Sequence, residues 1–295
     1  MGPLFTTGCA EGKSSMGGWE RSSAVDATSL GSYVALGDSF TEGMEDARPD
    51  GGYRGWADRL AERLAARNPG LRYANLAVRG KLIRQIVDDQ VPEAIGLRPG
   101  LVSFTAGGND IIRPGSDPDA VAELFESAVA ELSATGARLL IGTGFDTRDT
   151  PVLRHVRGKV GTYNSHLRAI ADKYDCGVID LWSMQVLQDP RAWSADRLHL
   201  SPEGHRRVAL RAAEALGLPV TEDWREPWPP RPEQSWRTQR IQDIQWAREY
   251  LAPWIGRRLR GQSSGDGRAP KRPKLERLCG AQSSASASPS EAERC

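Results

Sequence analysis

Between residues 32 and 218 the hydrophobic pattern switches back and forth between two periods. Short apolar runs at Tyr33–Leu36, Tyr73–Val78, Leu101–Thr105, Leu139–Ile141 and Val178–Leu181 read as buried strands. Between them, Trp56–Ala66, Leu82–Ile95, Asp119–Ser133, Val160–Tyr174 and Pro202–Leu216 carry apolar residues at helical spacing. Ser201 as N-cap and Pro202 at the first helical position set the start of the last helix. Five strands alternating with five helices imply βαβ units, and so a three-layer α/β/α sandwich around a five-stranded parallel sheet.

The flanks have another character. Residues 1–30 are rich in Gly, Ser and Thr without apolar periodicity and read as a disordered leader, ahead of an α/β domain at 31–218. Residues 219–260 form a Trp- and Pro-rich extension that holds five of the nine Trp residues. Within it Ile241, Ile244, Leu251, Trp254 and Ile255 make a helical stripe expected to pack on the domain. From 261 to 295 the chain is Ser-rich and basic and reads as a disordered tail, and deletion of residues 262–295 is expected to leave hydrolysis of a small soluble ester unchanged. The cluster Arg257, Arg258, Arg260, Arg268, Lys271, Arg272 and Lys274 reads as a solvated tail rather than a peripheral membrane or nucleic-acid contact, because no aromatic residues are interleaved with the charges.

Composition narrows the function classes. Lys and Arg number 39 against 38 Asp and Glu, so there is no global field to draw the chain onto nucleic acid. No apolar run is long enough to span a bilayer. Cys9, Cys176, Cys279 and Cys295 are too scattered for a disulfide framework or a zinc site, and with no signal peptide in the sequence a cytoplasmic location is expected. No His, Cys, Asp or Glu spacing suggests a metal site, and no cofactor is expected.

The chemistry gathers at the predicted strand ends. In VALGDSFTEGM the first strand runs into Gly37-Asp38 and delivers Ser39 to the carboxyl end of the sheet, where ligands bind in open α/β folds. Alone, Ser39 reads as a helix cap; a nucleophilic role requires a base. Of four histidines, His199 lies in the loop before the last helix, three residues after Asp196, so a carboxylate and an imidazole can meet in one turn. His205 falls inside the last helix and reads as a packing residue, and Asp38 as a loop-fixing one. Gly80 after the second strand and Asn109 after the third could supply donors to an oxyanion. Tyr53 and Arg79 are candidate substrate-binding residues near the same edge.

These blocks carry a resemblance. GDS at Gly37–Ser39, Gly80 after the second strand, GGND at Gly107–Asp110 and DRLH at Asp196–His199 are similar in order and approximate spacing to the four blocks of the SGNH hydrolases, the GDSL esterase/lipase family, with Phe40 where the family name expects Leu. The resemblance covers about residues 33–218. It implies a flavodoxin-like sheet, with Ser39 as nucleophile, His199 as base and Asp196 as its orienter. The Ser39 and Gly80 N–H groups and the Asn109 amide would form the oxyanion hole. The implied activity is hydrolysis of small-molecule carboxylic esters through an acyl-enzyme. An acyltransferase using the same residues and a non-catalytic binding or scaffold protein are the alternatives.

Overall fold

The computed structural model describes residues 26, 28–49, 51–150, 153–231, 235–253, 256 and 263–278. In chain order the elements are β1 (Ser32–Gly37), α1 (Ser39–Glu42), α2 (Gly55–Ala65), β2 (Arg72–Asn75), α3 (Ile83–Leu97), β3 (Leu101–Thr105), α4 (Gly108–Ile111) and α5 (Pro118–Ser133). They continue with β4 (Arg138–Gly142), α6 (Arg157–Lys173), β5 (Gly177–Ile179), α7 (Pro202–Ala215), α8 (Trp236–Trp246) and β6 (Arg272–Arg277).

The sheet order is β5-β4-β3-β1-β2-β6. The first five strands are parallel, and β1 pairs with β2 on one side and β3 on the other. Period-2 side-chain alternation divides each strand between two cores. Val34, Leu36, Val102, Phe104, Leu139 and Ile141 join the core under α3, α5 and α6. Tyr33, Ala35, Leu101 and Leu140 join the other, with Trp56 and Leu60 of α2 and Val208 and Leu210 of α7. Burial on both faces explains why these strands read as continuous apolar runs. Because the chain winds from β1 outward to β2 and then back past β1 to β3, the loops leaving β1 and β3 part in opposite directions and open a crevice at their carboxyl ends.

Two expectations need correction. The five parallel strands are joined by a sixth: β6 lies antiparallel to β2, with Tyr73 opposite Glu276 and Asn75 opposite Arg272. Residues 263–278, read from composition as disordered, are therefore part of the fold. The sequence RPKLER hides the strand because charges and a proline are what a solvent-facing edge strand carries. Lys271 likewise is half-buried and paired with Asp58 rather than solvated. The expectations for residues 1–25, for Cys9, Cys279 and Cys295, and for Arg257, Arg258 and Arg260 lie outside the described residues.

The extension also packs differently from its sequence pattern. Trp224 is buried and donates its indole N–H to Glu214 (2.7 Å), while the Trp228 indole donates to the Val186 carbonyl (2.8 Å). In α8, however, Ile241 and Ile244 of the predicted core stripe are exposed, and Trp246 is the residue that turns inward. Its indole N–H finds a carbonyl acceptor in the loop before α7 (2.9 Å), so a polar bond and not the isoleucine stripe sets the rotation of the helix.

Candidate active site

Ser39 opens α1 directly after β1. Asp38 caps that short helix, its Oδ1 accepting from Phe40 N (3.0 Å), and the strand end behind it is gripped from α3 by Gln90. The buried Gln90 amide accepts from Gly37 N and donates to Gly37 O, both at 2.9 Å. Gln90 had no signal in the sequence, since a single glutamine in an amphipathic helix looks like a surface residue.

The loop between β5 and α7 is closed at its base by hydrogen bonds from Ser194 N to His199 O (2.8 Å) and from Ser201 N to Ala192 O (2.9 Å). Inside it Asp196 collects donors: Oδ1 accepts from Ser194 Oγ (2.6 Å), Leu198 N (2.9 Å) and His199 N (3.0 Å). Oδ2 meets His199 Nδ1 at 2.5 Å, and His199 Nε2 meets Ser39 Oγ at 2.9 Å, across 160 positions of sequence. Burial works to raise the Asp196 carboxyl, but the bonds from the His199 ring, its N–H and Ser194 outweigh it and hold the group well below the ordinary carboxylate range. Asp196 is thus an anion aimed at a ring nitrogen. Trp246 of α8 donates to the Asp196 carbonyl, and Arg197 pairs with Asp243 (2.6 Å) over the Trp246 ring, so the extension braces this loop from outside. Sequence reasoning missed Trp246, because the contact spans 50 positions without any local pattern.

Gly80 adopts φ +72°, and Asn109 stands in α4 behind Gly107 at φ +87°; both are left-handed conformations suited to glycine. A cavity of about 310 Å³ is lined by Ser39, Gly80, Asn109, Asp196 and His199 together. The Asn109 amide donates to Asp38 Oδ2 and to the Lys81 carbonyl, each at 3.1 Å, which ties the loop after β3 to those after β1 and β2. Burial pushes the Asp38 carboxyl up to about 6, with Asp110 adding to the rise, against opposing bonds from Phe40 N and Asn109 and the charge of His199.

Tyr53 and Arg79 do not line the cavity. Arg79 is nearly buried and its Nε donates to both oxygens of Glu42 (3.0 Å each), with its guanidinium 5.0 Å from the Tyr53 ring. A guanidinium held in this way is part of the packing behind the loop after β2, with both its neighbours already engaged. His205 accepts from Trp56 N (3.2 Å) through Nδ1 and donates from Nε2 to Met44 O (3.0 Å), which joins α7 to α2 and to the turn after α1. Among the described residues no cluster of His, Cys, Asp or Glu could hold a metal ion, and no helix is long and apolar enough to cross a membrane.

A hydroxyl bonded to an imidazole that is itself bonded to a carboxylate can lose its proton as it attacks an electrophile. A three-layer α/β fold with these groups at its switch point is the layout of the SGNH hydrolases. The chain belongs to the GDSL-like lipase/acylhydrolase family, whose model matches residues 35–207. Among solved structures it is similar to LAE5, an alpha/beta hydrolase enzyme from the metagenome of Lake Arreo, Spain, at 22% identity over 63% of this chain and 95% of that one (TM-score 0.54). It is similar also to the acetylxylan esterase Axe2 of Geobacillus stearothermophilus, at 22% identity over 65% and 95% (TM-score 0.53), and to TesA, at 20% over 63% and 97% (TM-score 0.53). A search of curated proteins finds no match.

Proposed function

We propose that the protein is a serine esterase that cleaves carboxylic esters through an acyl-enzyme on Ser39. The observation that carries this reading is the unbroken chain from Ser39 Oγ through the His199 ring to Asp196, assembled from residues 160 positions apart. His199 Nε2 takes the Ser39 proton as Oγ attacks the acyl carbon, while Asp196 holds the ring in the tautomer that leaves Nε2 free and stabilises the imidazolium. The proton then passes to the departing alcohol. Water attacks the acyl-enzyme by the same route in reverse and releases the acid.

The oxyanion formed at each attack is received by the Ser39 and Gly80 N–H groups and by Asn109. Both Asn109 amide bonds serve Asp38 and Lys81 in the resting site, so this donor shares one of them with the oxyanion. A fluorophosphonate probe tests the reading: it labels the wild-type protein and fails to label Ser39→Ala, and an unlabelled wild-type protein overturns it.

A further inference from the structure

The family match ends at residue 207, but the cavity does not. Ser263 and Ser264 line it with Ser39, Gly80 and Asn109. Several independent contacts seat the turn that carries them. A Cβ on Gly80 would collide with Ser263 Oγ, and a Cβ on Gly265 would strike the Arg79 carbonyl, so the two glycine-bearing segments lie against each other with no room for a side chain. Ser263 N donates to Asp266 Oδ2 (2.8 Å) and Arg268 Nε to Ser264 O (3.0 Å), closing the turn on itself. Downstream, Lys271 donates to the carbonyls of Glu42 (2.6 Å), Tyr53 (3.0 Å) and Arg54 (3.1 Å) and to the Asp58 carboxylate. Immediately after it, β6 joins the sheet.

The sheet order gives this turn a side. Ser39 follows β1, which stands between β3 and β2. Towards β3 and β4 the lining is largely apolar, with Ile111, Ile112, Leu153, Val160 and Phe145 beside the threonines Thr105, Thr143 and Thr147. Towards β2 it is Gly80 and the two serine residues. The acyl and alcohol parts of an ester leave the carbonyl carbon in different directions. With an apolar acyl chain on the β3–β4 side, the alcohol is carried towards β2 and the turn, where hydroxyl groups can donate to and accept from hydroxyl groups of the substrate.

We propose that Ser263 and Ser264 form the alcohol-side wall of the site and determine its specificity, selecting esters of an apolar acyl group with a hydroxyl-bearing alcohol. This rests on Ser39 being the nucleophile of an esterase. The test compares kcat/KM for glyceryl monooctanoate and propyl octanoate, which share the acyl group and the number of alcohol carbons and differ in two hydroxyls. The full-length protein prefers the glyceryl ester, and Ser263→Ala/Ser264→Ala lowers that preference by about tenfold, the size expected for hydrogen bonds lost to a bound substrate. Gly265→Val, which lifts the turn off Arg79, lowers it as well. An unchanged ratio in the double variant, or a wild-type preference for the propyl ester, overturns the proposal. Fluorophosphonate labelling separates the two readings: normal labelling with an unchanged ratio removes only the wall, and absence of labelling in the wild type removes both.

Discussion

Lys271 and Asp58 meet in the interior although 213 positions separate them in sequence. The ammonium donates to the carbonyls of Glu42, Tyr53 and Arg54 as well as to Asp58 of α2, so the segment that a compositional reading leaves as a solvated tail is tied to α1, to α2 and to the loop between them. The expectation that removing the tail is silent thereby loses its basis. Lys271→Met leaves Asp58 buried without its counter-charge and is expected to destabilise the protein by about 3–5 kcal/mol. Adding Asp58→Asn recovers a large part of that loss, because no unpaired charge remains. Urea unfolding of the single and double variants measures both, and additive losses would contradict the pairing.

Asp196→Asn keeps the size of the side chain but removes the anion beside His199 Nδ1. The amide can donate to Nδ1 and so favour the tautomer whose Nε2 carries the proton, which cannot accept one from Ser39. A fall in kcat on the order of 10³–10⁴-fold is expected, with KM changed little. Steady-state kinetics on a soluble ester checks it.

His205 provides a pH signature in stability. Burial lowers its pKa to about 4, with Arg59 and Lys271 adding to the fall and the Met44 carbonyl and Asp46 opposing it. An unfolded histidine titrates near 6.5, so between about 6.5 and 4 the unfolded chain binds the extra proton and stability falls as the pH falls. The full effect is roughly 3 kcal/mol from the two pKa values. Asp38 and Asp58, both pushed up to about 6 by burial, act in the opposite direction over an overlapping range, since the folded state then holds their protons. The comparison that isolates His205 is the difference between wild type and His205→Gln: unfolding free energies that diverge steadily across this range support it, and parallel curves contradict it.

Gln90→Leu fits the volume but strands Gly37 N–H in the interior and takes from Gly37 C=O one of its two donors, leaving it Val78 N (3.3 Å). One buried backbone N–H without a partner is expected to cost roughly 1–3 kcal/mol. Because Gly37 carries the strand into Asp38 and Ser39, the rate of fluorophosphonate labelling at Ser39 falls with it. A variant that loses stability and labels at the wild-type rate would show that the clamp acts on the fold alone.

The elements legible in the sequence are those whose burial is periodic. The five parallel strands and the helices between them announce themselves because each buries a face or both faces against the same sheet, and burial at a fixed period selects apolar residues at that period. Ser201-Pro202 placed the start of α7 for an equally local reason: a cap acts within one turn. Ser39, Gly80, Asn109, Asp196 and His199 were legible as short motifs at strand ends, and the structure lines one cavity with all of them. Arg79 and Tyr53 stand outside the cavity lining, and for Arg79 the reason is that a charge near a strand end looks the same in sequence whether it faces a cavity or, as here, Glu42.

The sequence by itself determined the layers, the end of the sheet at which Ser39, Gly80 and Asn109 gather and the residue types found there, since all of these follow from local periodicity and from turns of a few residues. Only the tertiary structure decided that β6 completes the sheet edge, that Gln90 and Trp246 brace the site, and that Ser263 and Ser264 stand over Gly80. Each of those depends on polar or close-packed contacts between segments far apart in the chain, and contacts of that kind impose no repeating pattern on the residues around them.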